Sequence, residues 1–495
     1  LVREQLMSST GFSGDQRRVL PVILVPAFMS LLSVSIVNVT LPAIETTLDT
    51  GTSGLQWIVS GYALVFGVLL VSAGRAGDIW GRGKLFVAGL VVFGLGSLLA
   101  GLAPSILVLN LARVVMGLGS GLLNPQVTGM IQQFFSGELR GRAFGLFGGV
   151  VGVSVAVGPL LGGGLVALLG NELGWRWSFL VNVPIAVLAV LAAKFFLPDA
   201  AWRSAARTGP TPSGTGAEAG AGGAKRRKAD FDPVGMVLLA LGTLFTMLPF
   251  MEHALGWWVW LSLVVGLGLI AVWIRWERHY GSRGRTPMVD MELFRTRSFS
   301  NGTLLIGLYF MGYTSIWLLV AQYLQNGLHH TALHAGMIGL PAALAGAVAA
   351  PLAGRYVTRV GRVMVMWGLT LVVGGLILSA LVVFLHPDGV SEWWLLLTLG
   401  IAGLGQGFVV SPNQTLTLAE VPLNYAGSAG GVVQTGQRLG TAIGIAMVTS
   451  ITFAVVASAG WNVAVAVGFA VVIVVVLAAM AVGAADLGSN RRKRG

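Results

Sequence analysis

No cysteine occurs among the 495 residues, so disulfide staples, thiolate nucleophiles and cysteine metal sites are excluded at the outset. Acids are scarce too: 19 Asp and Glu stand against 31 Lys and Arg, and charged residues make up only 10% of the chain, where a soluble domain carries about 25%. A surface so poor in charge belongs in lipid. The six histidines, His253, His279, His329, His330, His334 and His386, fall at span ends and in loops. They are read as forming no metal-ligand cluster, and no nucleophile beside a base or phosphate-cradling loop accompanies them. A bound metal is therefore not expected, and an enzyme is the least favoured class.

What the chain does have is apolar length. Apolar residues make up 55%, glycine takes 71 positions and mean hydropathy is +0.81, the composition of an all-α polytopic membrane protein. Fourteen runs, from 19–42 to 461–485, are each long enough to cross a bilayer as a helix. A net charge of +12 would suggest nucleic acid in a soluble chain, but here the cations sit between apolar runs, so no nucleic acid is expected. Placing the N-terminus in the cytoplasm puts 28 of the 31 Lys and Arg on that side, which predicts a multi-pass protein of the plasma membrane with both termini cytoplasmic. No cleavable signal peptide is read at the start, where Met7 is an alternative first residue. The three cations left over are Arg113, Arg176 and Arg438. Arg176 belongs to an expected outer loop, 174–177, beside Trp175 and Trp177. Arg113 and Arg438 lie inside spans four and thirteen, where a charge costs at least about 2.5 kcal/mol and marks a functional position.

One short charged stretch, Gly74-Arg75-Ala76-Gly77-Asp78-Ile79-Trp80-Gly81-Arg82-Gly83-Lys84, is wedged between two spans and must be a tight loop at a membrane face. It returns 280 positions later as Gly354-Arg355-Tyr356-Val357-Thr358-Arg359-Val360-Gly361-Arg362, with Thr358 where Asp78 stands. Gly117, Gly119 and Gly121 return likewise as Gly403, Gly405 and Gly407. Two matches in one order imply a duplicated chain whose halves face each other across a central path, the copied half lacking the acid. The expected domains are 1–197, a six-helix bundle; 198–232, a flexible cytoplasmic linker with the basic run 225–228; 233–276, two inserted helices without counterpart in the repeat; 277–300, a cytoplasmic loop; 301–486, a second six-helix bundle; and 487–495, a basic tail.

These stretches also carry a family resemblance. Residues 74–84 are similar to the loop signature between helices two and three of the major facilitator superfamily, with Asp78 and Arg82 at its charged positions. Leu109-Asn110-Leu111-Ala112-Arg113-Val114-Val115-Met116-Gly117-Leu118-Gly119 resembles its helix-four signature, and Gly158-Pro159-Leu160-Leu161-Gly162-Gly163 the helix-five signature of exporters, with Ser154 where a Gly is usual. Leu55-Gln56-Trp57, the run from Trp175 to Pro184 and Tyr323-Leu324-Gln325 look like the fourteen-helix drug:proton antiporter branch. One position departs: Ser33 stands where that branch usually has an Asp. The resemblance implies the major facilitator fold, two six-helix bundles plus two inserted helices. It also implies a proton-coupled secondary active exporter of amphipathic drugs and antibiotics, working by alternating access on the proton gradient without a cofactor. Its expected partners are a small amphipathic substrate, protons and membrane lipids, and it is expected to be a monomer. The alternatives are a membrane-embedded binding or sensor protein with this fold, or an uncoupled or dedicated metabolite exporter.

For gating and coupling the expected residues are Asp78, Arg82, Arg113, Gly158 and Pro159, with Asp78 latching helix two to a neighbouring helix end and its proton release linked to gate opening. Glu252 and Glu420 are next in line as proton carriers. The substrate path is expected along Asn38, Tyr62, Phe66, Asn124, Gln126, Tyr309, Tyr313, Trp317, Gln406, Asn413, Gln434, Gln437 and Arg438. Without a midplane carboxylate, that path should favour neutral or weakly charged amphiphiles over dications.

Overall fold

The computed structural model describes residues 11–204, 232–251, 256–283 and 285–492. Helix α1 (Gly14–Leu48) opens on a capping box in which Gln16 N–H donates to Ser13 Oγ and Ser13 N–H donates to the Gln16 side chain at 3.0 Å. Helices α2 (Thr52–Trp80) and α3 (Arg82–Gly101) meet at Gly81, whose φ of +106° only glycine adopts readily. Helix α4 is Ile106–Phe134.

Two helical stretches, Gly137–Phe196 and Leu423–Leu487, run for 60 and 65 residues, where one crossing needs about 20. Each contains one interior residue outside the helical region, Gly170 (φ +77°) and Gly460 (φ +76°). The chain reverses at both: a Cβ on Gly174 would lie 2.5 Å from Val166 Cα, and one on Gly468 would lie 2.8 Å from Thr452 Oγ1. They therefore divide into α5 (137–169) and α6 (171–196), and into α13 (426–459) and α14 (461–492). Between them lie α7 (Pro233–Met251), α8 (Trp260–Ser282), α9 (Arg297–Gln322), α10 (Ala332–Val360), α11 (Arg362–Phe384) and α12 (Leu395–Thr417). The twelve long apolar stretches thus make fourteen crossings among the described residues.

Several expected loops are shorter than the sequence suggests. The outer loop at 174–177 is helical and forms the first turns of α6, where Arg176 donates to the carbonyls of Gly101 and Ala103 and so caps the end of α3. The start of the expected linker is a short helix, Asp199–Trp202, docked on the α2–α3 turn: a Cβ on Gly81 would meet the Trp202 carbonyl at 2.5 Å. Residues 205–231 of it, including the basic run, lie outside the described residues, as do Glu252 and His253. α8 and α9 shorten the loop expected at 277–300, and α14 continues to Arg492 through most of the expected tail.

α1–α6 and α9–α14 form two halves joined along two seams of small residues, α2 with α13 and α5 with α10. The α5–α10 seam is backbone on backbone, with Gly141 and Gly145 against Gly354 and Ala350. α7 and α8 pack on each other, and α7 also packs on α2 and α13, where Val71, Leu239 and Trp273 form an apolar cluster with Val432 at its edge. The inserted pair covers the α2–α13 seam from the lipid side.

Candidate functional site

Arg75, Arg82, Lys84, Arg140, Arg355, Arg359 and Arg362 gather at one end of the molecule, the basic end. There Asp78, in the last turns of α2, reaches across to the other half. Its carboxylate accepts from the Gly427 N–H at 3.0 and 3.1 Å and from the Ser428 N–H at 3.0 Å. Both N–H groups belong to the first turn of α13, which has no partners within its own helix and carries the positive end of the helix dipole. The approach requires glycine on both sides: a Cβ on Gly74 would stand 2.2 Å from the Gly427 carbonyl oxygen. Arg82 completes the cluster, with Nη2 donating to Asp78 at 2.8 Å and to the Leu423 carbonyl at 2.6 Å, and Nη1 donating to Gln133 at 2.7 Å and to the Gly129 carbonyl at 3.1 Å. Both side chains are buried. Four helices, α2, α3, α4 and α13, are tied through one ion pair.

In the second half, the register with Thr358 implied a missing acid. An acid is nevertheless there. Arg362 meets Asp486 of α14 at 2.8 Å, with both side chains buried, and also donates to Asn413 Oδ1 and the Ser298 carbonyl. The charge is supplied by a helix 124 residues away, which no comparison of repeat positions reveals. This clamp lies within one half, whereas Asp78 joins two.

Deeper in the molecule, Arg113 is buried and donates to the Ile58 carbonyl at 2.8 Å and to Ser33 Oγ at 3.3 Å, with its guanidinium 4.2 Å from the Tyr62 ring centre. The residue in place of the usual acid is therefore its direct neighbour. Arg438 crosses from α13 to stand 4.5 Å from the Phe66 ring centre. Tyr62, Ser30, Ser120 and Asn124 share a hydroxyl network, including a 2.6 Å contact between Tyr62 and Ser120. Across the molecule, Tyr309 stacks on Tyr313 at 5.1 Å, Trp317 packs edge-on to Tyr313, and Tyr313 donates to Gln406 at 3.0 Å. Gln434 donates to Thr128 at 3.0 Å, closing the centre toward the basic end.

Other expected path residues have different places. Gln126 is wedged between α4 and α2, donating to the Ala73 carbonyl, and Asn413 bridges Arg362 to the Gly302 carbonyl, so both are consumed in helix packing. Asn38 is exposed on α1, and Gln437 is half-buried on α13. Gly158 lets α1 approach α5, since its Cβ would meet Ser35 at 2.5 Å, and Pro159 follows it, half-buried. Glu420 accepts from Ser298 at 3.2 Å on the surface of the basic end.

Three constellations escaped the sequence. Thr128, Gln132 and Gln414 join Gln434 between the halves. Asp232 and Glu277 are both buried beside Gly235 of the inserted pair, accepting from Trp276 and Trp273 respectively. His330, His334 and Glu392 come together at the end opposite the basic one, which corrects the expectation that the histidines form no metal-ligand cluster. In each, residues meet a partner from a separate segment, 128–132 with 414 and 434, 232 with 277, 330–334 with 392, so local spacing does not reveal the meeting.

A family profile described as Major Facilitator Superfamily matches residues 23–445 and 303–494. The chain is 31% identical to the "Probable actinorhodin transporter" of Streptomyces coelicolor, over 88% of this chain and 72% of that protein. It is 32% identical to the "Puromycin resistance protein pur8" of Streptomyces alboniger, over 88% of this chain and 81% of that protein. Among solved structures, the human organic anion transporter MFSD10 (TETRAN) superposes with a TM-score of 0.67 at 15% identity, covering 95% of this chain and all of that one, a likeness of fold.

Proposed function

The chain belongs to the Major Facilitator Superfamily, and from that membership we propose that it is a proton-coupled exporter of amphipathic aromatic compounds, antibiotics among them, working by alternating access. The observation that carries the reading is the Asp78 joint, a single buried carboxylate that closes one half against the other. The names of the relatives, an actinorhodin transporter and a puromycin resistance protein, support the substrate class and the outward direction. By the positive-inside rule the basic end faces the cytoplasm, so the state described is closed toward the cytoplasm.

Ionised Asp78 accepts from two main-chain N–H groups and a guanidinium at once. A protonated acid would surrender one acceptor position and the charge that Arg82 meets. In this reading the proton is bound, not released, when α13 leaves α2 and the inner end opens. Arg113 and Arg438 face Tyr62 and Phe66 with no carboxylate among their contacts in the described residues, which favours neutral or anionic aromatic amphiphiles over dications.

The test is transport in proteoliposomes with an imposed pH gradient. An antiporter acidifies its lumen when substrate is driven out through it, and collapse of the gradient stops accumulation. Saturable binding of an aromatic antibiotic with no movement of substrate or protons would instead identify a binding or sensor protein.

A further inference from the structure

We propose that His330, His334 and Glu392 form a binding site for a divalent transition-metal ion, Zn²⁺ in the first instance, at the end of the molecule opposite the Asp78 joint. The ligand atoms of the three residues lie within 4.8 Å of one another. Around a tetrahedral Zn²⁺ with bonds of about 2.0–2.1 Å they would stand roughly 3.4 Å apart, a difference that side-chain rotation covers. One pair is nearly there already, with His330 Nε2 3.3 Å from Glu392 Oε1.

Local structure explains why these side chains converge. α9 ends in a π turn, Tyr323–Gly327, a local widening of the helix often found at functional sites. The chain then passes through His329 in the left-handed region, φ +58°, unusual for a residue with a side chain. The His330 N–H donates to the Leu324 carbonyl at 2.8 Å, and Thr331 caps α10 by accepting from the His334 N–H. The two imidazoles thereby stack 4.0 Å apart on one side of the α10 entry. From the other segment, Ser391 caps the turn Glu392–Trp394 and presents Glu392 to them. His386 stands beside Glu392 at 3.9 Å, its Nδ1 2.8 Å from the Val390 carbonyl, fixing the ring against that loop.

A second observation points to a ligand. His334 Nε2 is buried and has no hydrogen-bond partner among the described residues. A buried ring nitrogen without a protein partner is costly, and a metal ion is a ligand that would satisfy it. Two imidazoles with one carboxylate, and water in the fourth position, is a donor set suited to Zn²⁺ rather than to Mg²⁺ or Ca²⁺, which take oxygen ligands. Bound there, the ion ties the α9–α10 connection to the α11–α12 connection and stiffens the rim of one half. The proposal is independent of what the protein transports.

The experiment is Zn²⁺ titration of the full chain, purified without a histidine tag in detergent or nanodiscs, read by calorimetry and by thermal unfolding. One saturable Zn²⁺ per chain and a raised Tm are expected, with Mg²⁺ inert. His330→Ala, His334→Gln and Glu392→Gln should each weaken binding at least about tenfold and abolish the Tm shift. Gel-filtration profiles verify folding, and His334→Gln guards against misfolding by keeping side-chain volume. Absence of saturable Zn²⁺ binding, or binding undiminished when all three residues are replaced, overturns the proposal.

Discussion

At Asp78 one carboxylate answers to both halves, and its energetics separate it from ordinary surface charge. Asp78→Asn keeps the shape but removes the charge that Arg82 and the α13 N-terminus meet. Turnover should fall by about a hundredfold, a change of roughly 2.7 kcal/mol in barrier, while direct binding of substrate changes less than about threefold. Equal loss of transport and binding at normal expression would make Asp78 a folding residue. Arg362 and Asp486 predict the contrasting outcome. Both are buried in one half, so Asp486→Ala strands a guanidinium and should cost about 3–5 kcal/mol, seen as a lowered Tm. Replacing the pair together, Arg362→Met with Asp486→Leu, should recover most of that loss. A wild-type Tm for Asp486→Ala would show that the pair contributes nothing to the second half.

Among the helices, the decisive contacts are glycine seams. A Cβ on Gly74 would overlap the Gly427 carbonyl at 2.2 Å, backbone that has no rotamer to yield, so α2 and α13 must separate. Gly74→Ala is expected to weaken the closed inner end without touching a charged group. Because the chain has no cysteine, a single reporter can be introduced directly; at the buried Thr435 of α13 it should be alkylated several-fold faster in Gly74→Ala than in the parent background. Unchanged labelling would mean that the seam tolerates the methyl and is not the gate. The inserted pair belongs to the same scale. α7 packs Met247 against Gly67 while Gln56 donates to the Met251 carbonyl at 2.7 Å, so the pair follows α2 and α13 rather than standing apart as a domain.

Over the whole molecule, hydrogen bonds between the halves concentrate at the basic end, and they are unequal. Glu138 and Arg359 approach to 2.9 Å across the α5–α10 seam, yet their side chains are 39% and 68% exposed. Such a pair is worth about 0–1 kcal/mol, far less than a buried network. Glu138→Gln should therefore alter transport rates less than about twofold in the vesicle assay. A loss matching that of Asp78→Asn would mean that both seams open in one concerted step governed by surface charge.

Much of this was legible in the sequence. Apolar run length and the placement of cations determined a fourteen-helix membrane protein, because lipid demands helices of fixed length and the charges must stay outside it. Local repetition revealed the duplication and singled out Asp78 and Arg82, and a cation inside an apolar span singled out Arg113. Only the tertiary structure decided which groups meet. Asp486 replaces the acid absent at Thr358, Ser33 falls under Arg113, Gln126 and Asn413 are spent on packing, and His330 finds Glu392. The physical reason is the same in each case. A helix shows its own periodicity in the chain, but the partner that satisfies a buried charge or ring nitrogen comes from another helix or loop, and nothing local records its distance.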